Sequence, residues 1–186
     1  PAFLQAPNYT PLAHVTNFGR GPISKDVQYH ATLGAISRVS EWLDYIKENN
    51  AYDNSRIIIV SDHGAGIDLN IFSDDYNLPF RPEAYNPLLL VKDFNKKGSI
   101  TYDYSFMTNA DVPAISTEGL IENPKNPFTG NAITTAGKDE GIFIANSGLW
   151  SPDAQNKNTF KIKDNEWFFV KEDAFYPENW TQEVPQ

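Results

Sequence analysis

Four β-branched aliphatic residues in an unbroken row, Ile57, Ile58, Ile59 and Val60, stop abruptly on Ser61-Asp62-His63-Gly64. A strand with no polar alternation suits a position covered on both faces, as in a parallel sheet between layers of helix. In open α/β sheets ligands collect beyond the carboxyl ends of the strands, and the polar tetrapeptide falls at that place. A carboxylate and an imidazole side by side can reach one divalent cation. Gly64 lets the backbone turn away with no side chain in the way.

The flanking segments fit the same architecture. Val27, Ala31, Ala35, Val39, Trp42, Leu43 and Ile46 recur at three- and four-residue spacing and predict an amphipathic helix over 24–48. Ser24 is its expected N-cap, Asp26 lies in its first turn, and Lys47 with Asn49 and Asn50 marks its stop. Gly34 inside it predicts close packing there. A second apolar run, Leu88 to Val91, follows a loop rich in Asp, Asn, Pro and aromatic residues. Another helix is expected from Thr108 and Asn109 toward Leu120, with Pro113 in its first turn. This order predicts an α/β sandwich with Arg56–Val60 as a central strand and the helix 24–48 on one face.

The ends differ in character. Residues 1–22 read as an extended entry with one short strand at 12–16, and the start at Pro1 predicts a piece of a longer protein. Beyond Asn123 the chain turns repeatedly, then offers short strands at 141–145, 159–162 and 167–170. The last two are expected to pair as a hairpin. Residues 1–186 thus read as a single domain, with 136–186 a hairpin-rich C-terminal addition.

Composition narrows the function. A net charge of −9, with Lys96–Lys97 the one adjacent basic pair, argues against nucleic acid as a partner. Zero Cys removes disulfides, thiolate metal sites and a Cys nucleophile. No apolar run reaches the roughly 18 residues of a membrane-spanning helix, so membrane attachment would belong to missing segments of a parent protein. Ser61, Asp62 and His63 are contiguous and cannot converge as a nucleophilic triad. Read alone, Asp62 can equally cap the following turn, with His63 a surface or hydrogen-bonded histidine.

Residues 52–64, Tyr52-Asp53-Asn54-Ser55-Arg56-Ile57-Ile58-Ile59-Val60-Ser61-Asp62-His63-Gly64, resemble a segment of the alkaline phosphatase superfamily. The branch they are most similar to holds the sulfatases and the membrane-anchored phosphoglycerol (lipoteichoic-acid-synthase-like) and phosphoethanolamine transferases. Asn86 to Val91, Thr108 to Pro113 and Asn126 to Asn131 resemble the segments that follow in that family, so the likeness runs in order over about residues 24–135. It implies a partial alkaline-phosphatase-like sandwich, with a central, mostly parallel sheet between helices and a small C-terminal antiparallel hairpin. Asp62 and His63 match the family's metal-binding pair, which implies a divalent cation (Mn, Zn, Mg or Ca) held weakly. His14 and His30 are candidates for contact with the substrate phosphate. No residue among 1–22 matches the family's nucleophile, so no catalytic residue is assigned.

The resemblance makes the chain the C-terminal part of a metal-dependent phosphoryl- or sulfuryl-transfer enzyme, of phosphoglycerol transferase or sulfatase type. Its expected partners are the N-terminal half of the same enzyme and a phosphate or sulfate ester of lipid or glycan type, outside the cytoplasm. Ala65 stands where phosphoethanolamine transferases often carry Glu, and no His follows His63, which points away from that branch and from a complete two-metal site. The alternatives are a non-catalytic binding or scaffold module of the same fold, with the aromatic tail covering the sheet or gripping a glycan, and an unrelated α/β protein.

Overall fold

The computed structural model describes residues 25–66, 72, 75–135, 140–148 and 161–186, without the side chains of 26, 27 and 30. The expected strand at 12–16 and the strand start at 159–160 lie outside the described residues. The chain divides into two compact units, one of Pro1–Leu69 with Glu83–Ile100, the other of Asn70–Pro82 with Thr101–Gln186.

In the first unit, helix α1 spans Lys25–Glu48. It stops for a local reason. Asn50 takes a left-handed φ of 57°, a conformation that Asn tolerates better than most residues. Asn50 N–H then donates to the Lys47 carbonyl at 3.0 Å and Ala51 N–H to the Ile46 carbonyl at 2.9 Å, the paired bonds of a Schellman stop. The expected apolar stripe is buried at Ile46, half-buried at Ala31, Val39 and Leu43, and open at Ala35. Trp42 keeps 47 % of its surface exposed, so the helix is not sealed against a sheet along its length. Gly34 is buried, as close packing there requires.

Strands β1, Ile57–Val60, and β2, Leu89–Lys92, form a two-stranded antiparallel sheet in the register Ile57↔Lys92 to Val60↔Leu89. The observed pairing is antiparallel and gives no evidence for the expected central strand in a parallel sheet. A parallel neighbour needs a crossover connection, usually a helix. Here the described part of the connection holds only a 3-10 turn, Pro82–Tyr85, and the chain returns directly alongside β1. Among the described residues β1 has no second strand neighbour, and Val60 is 40 % exposed.

The far end of the pair is tied by charge. Arg56 Nε donates to Asp93 Oδ1 at 2.9 Å, and Lys92 Nζ donates to the carbonyls of Tyr52 and Ser55 while lying over the Tyr52 ring. These contacts bind the turn after α1 to the exit of β2.

In the second unit, Thr108 caps a 3-10 turn, Asn109–Asp111, that runs directly into α2, Val112–Thr117. The buried Asp111 carboxylate accepts the Thr108 N–H at 2.7 Å, and Pro113 sits in the first turn, as its missing N–H allows. Further on, β3 (Ile142–Ala145), β4 (Trp167–Val170) and β5 (Trp180–Thr181) form an antiparallel sheet with β4 in the middle. The expected partner of β4 was 159–162; its partners are β3 and β5, and Lys161 and Ile162 are not in a strand. Phe168 and Trp180 are buried, and Phe80 meets their rings edge-on at 4.8 and 5.9 Å. Phe72 stacks on Phe175 at 4.8 Å, and Tyr76 and Trp180 both donate to the Ala174 carbonyl. The C-terminal aromatics thus supply a core of their own. The broad class is α/β, with mixed helices and, among the described residues, two small antiparallel sheets.

Two measurements check this packing. Phe168→Ala should lower the stability of the second unit by about 3–5 kcal/mol in urea, through lost transfer energy and the cavity left behind. The Arg56 hydrogen bond, followed by the Phe94 N–H, holds the Asp93 carboxyl below its ordinary value of 3.8. A depressed folded-state value contributes stability that is full above the unfolded value and is lost as pH falls through the folded one. Asp93→Asn should therefore lower stability at neutral pH and flatten its decline below about pH 4, as read from acid-unfolding curves.

Candidate metal site

At the carboxyl end of β1 the backbone is pinned before it bends. Ser61 N–H donates to the Leu88 carbonyl at 3.0 Å, and Leu88 N–H donates to Ser61 Oγ at 2.7 Å. Asp62 and His63 follow at the bend, with 88 % and 73 % of their side chains exposed. The Asp62 carboxylate accepts the His63 backbone N–H at 3.0 Å through Oδ1. Asp62 Oδ2 lies 3.7 Å from His63 Nε2. The other ring nitrogen, Nδ1, lies 2.6 Å from the Gly64 carbonyl oxygen.

That last contact decides the tautomer. A carbonyl oxygen can only accept, so Nδ1 carries the proton and Nε2 of the neutral ring keeps its lone pair. An imidazole that donates one N–H to a backbone carbonyl and offers the other nitrogen is the arrangement metal-ligating histidines use. With ligand bonds of about 2.0–2.2 Å, donors separated by 3.7 Å subtend about 115–135° at a shared cation. That angle is somewhat wider than tetrahedral. The donor set fits one divalent ion, with water in the remaining positions. Among the described residues, no group of three His, Cys, Asp or Glu side chains converges on such an ion.

Gly64 is gripped from the other side. Its N–H donates to the Ala84 carbonyl at 2.9 Å. A Cβ at this position would lie 1.8 Å from the Glu83 carbonyl oxygen and 2.8 Å from that of Asn86. Only glycine permits this approach of two backbones.

Of the four histidine and aspartate positions singled out from the sequence, the structure brings Asp62 and His63 together. His14 lies outside the described residues, and His30 sits on α1 with its side chain outside them. Sequence reasoning missed Glu83. It lies in the turn that grips Gly64, is 2 % exposed, and its Oε2 has no hydrogen-bond partner. A lone Glu in a Pro- and aromatic-rich loop carries no burial signal, so nothing in the sequence pointed to it. Comparison with protein-family models, with curated proteins and with solved structures finds no match.

An oxygen buried without a donor costs about 1–3 kcal/mol. Glu83→Met, of similar length and without that oxygen, is expected to raise the urea midpoint of the chain; a lowered midpoint would mean that the carboxylate is satisfied.

Proposed function

We propose that this chain carries the cation-ligand end of a metal-dependent phosphoryl- or sulfuryl-transfer enzyme of phosphoglycerol transferase or sulfatase type. The observation that supports it is the approach of His63 Nε2 to Asp62 Oδ2 at 3.7 Å, just beyond the carboxyl end of β1, where one cation could be shared between them. The order of the family-like segments over residues 24–135 supports it further. In this reading β1 and β2 join a larger, mostly parallel, alkaline-phosphatase-like sheet supplied by the N-terminal half of the same enzyme. The substrate is a phosphate or sulfate ester of an envelope polymer, lipid or glycan, outside the cytoplasm. No helix among the described residues is long and apolar enough to cross a membrane, and anchoring would fall to the same N-terminal half.

Each residue then has a defined task. A bound divalent cation supplies Lewis-acid stabilisation of charge on the ester oxygens. Asp62 contributes a hard anionic ligand that offsets part of the cation's charge. His63 contributes a neutral nitrogen whose direction is set by Gly64. The in-line nucleophile, whose positioning supplies much of the barrier reduction, comes from the N-terminal half.

Calorimetry with Mn²⁺ or Zn²⁺ should show weak binding that Asp62→Ala abolishes. The 186-residue chain alone should hydrolyse p-nitrophenyl phosphate and p-nitrophenyl sulfate no faster than its Asp62→Ala variant. Tight binding that survives Asp62→Ala would place the cation elsewhere, and metal-dependent turnover lost in that variant would show that the chain holds its own nucleophile.

A further inference from the structure

The cation reading names two ligands, but an exposed imidazole free to rotate and to exchange tautomers would be a poor one. Free imidazole side chains favour the Nε2–H form, which hides the lone pair that would have to face Asp62. What holds the other form here is the Gly64 carbonyl, 2.6 Å from Nδ1. The direction of that carbonyl depends on the backbone angles of Gly64, and these are constrained from the far side. The N–H of Gly64 is bonded to Ala84, and its Cα faces the Glu83 and Asn86 carbonyl oxygens so closely that a methyl group has no room. Asn86 N–H in turn donates to the Glu83 carbonyl at 3.3 Å, closing the 83–86 segment on itself. Two residues downstream, Leu88 is bonded to Ser61 in both directions, so the bend at 62–63 is held at each end.

We infer that Gly64, clasped by residues 83–86, is a positioning residue that fixes His63 as the Nδ1–H tautomer and turns its Nε2 lone pair beside Asp62. The inference rests on the cation reading for its purpose, but not for its test. Any side chain at position 64 pushes the clasp away, breaks the bond to Ala84 and releases the carbonyl from Nδ1. The ring then returns to the tautomer of an unconstrained imidazole, and a cation must reverse that preference before it binds. Gly66 provides the internal comparison. It lies two residues further along the same loop, and a Cβ there meets nothing within 4 Å.

The experiment is long-range ¹H–¹⁵N correlation spectroscopy of the full ¹⁵N-labelled chain at about pH 9, where imidazoles are neutral. The chain has three histidines, and His63→Gln assigns the His63 signals by their loss. The expected result is a protonated Nδ1 and an unprotonated Nε2 at His63. Gly64→Ala should move His63 to the Nε2–H pattern and weaken Zn²⁺ binding about tenfold or more, the usual effect of losing a partner that orients a ligand. Gly66→Ala should leave both unchanged. A wild-type His63 in the Nε2–H form, or a His63 spectrum unaltered by Gly64→Ala, would overturn the inference. If Gly64→Ala fails to fold by circular dichroism, the wild-type spectrum decides by itself. An Nδ1–H ring in a chain that binds no Zn²⁺ keeps the positioning role and removes the cation reading; Zn²⁺ bound by an Nε2–H ring does the reverse.

Discussion

Everything at the end of β1 depends on the short set of backbone hydrogen bonds that join residues 61–64 to residues 84–88. An isolated pair of strands is marginal in water, and β1 and β2 share only four register positions. The pair is closed at one end by Arg56, Asp93 and Lys92, and at the other by Ser61, Leu88, Gly64 and Ala84. The first closure is ionic and partly exposed, so salt and acid weaken it. The second is made of main-chain groups and a hydroxyl, and neither reaches it. The bend that carries Asp62 and His63 is thus attached to the more robust end.

Local signals in the sequence translated well where one residue type decides the geometry. Asn50 ends α1 because Asn tolerates the left-handed turn, and Thr108 caps the turn before α2 because its hydroxyl and the Asp111 carboxylate satisfy N–H groups there. The strands at Ile57–Val60, Ile142–Ala145 and Trp167–Val170 follow from β-branched and aromatic runs. Partner choice was not legible. An all-aliphatic run says that both faces prefer to be dry, but says nothing of which strand lies beside it. In β4, Trp167 to Val170 carries no mark that selects Ile142–Ala145 over the nearer 159–162.

The candidate site was legible in part for the same reason. Asp62 and His63 are adjacent in the chain, so their proximity required no knowledge of tertiary structure. The grip on Gly64 comes from a segment about twenty residues away in sequence, and only the path of that segment in three dimensions reveals it and the burial of Glu83 within it. Among the tail aromatics, Phe168 and Trp180 are buried and pack with Phe80 inside the second unit, whereas Phe175 and Tyr176 stay exposed, and composition alone did not separate them.

Under the proposed reading, the arrangement separates holding the ligand from holding the ion. The imidazole is oriented by a backbone clasp in which no side chain fits, whereas both donor atoms sit at exposed tips where water competes for every coordination position. A chain with net charge −9 concentrates cations near its surface without choosing among them. Carboxylate oxygen does not choose strongly either, since it suits Mg²⁺, Ca²⁺ and Mn²⁺ alike. Under the proposed reading, discrimination rests on the nitrogen, because imidazole favours Zn²⁺ and its transition-metal neighbours over the hard oxygen-seeking ions. A nitrogen ligand binds more tightly when its lone pair is presented without a tautomeric penalty. The glycine that admits the Glu83 and Asn86 carbonyl oxygens is therefore where the affinity of such a site would be set, although it touches no ion itself.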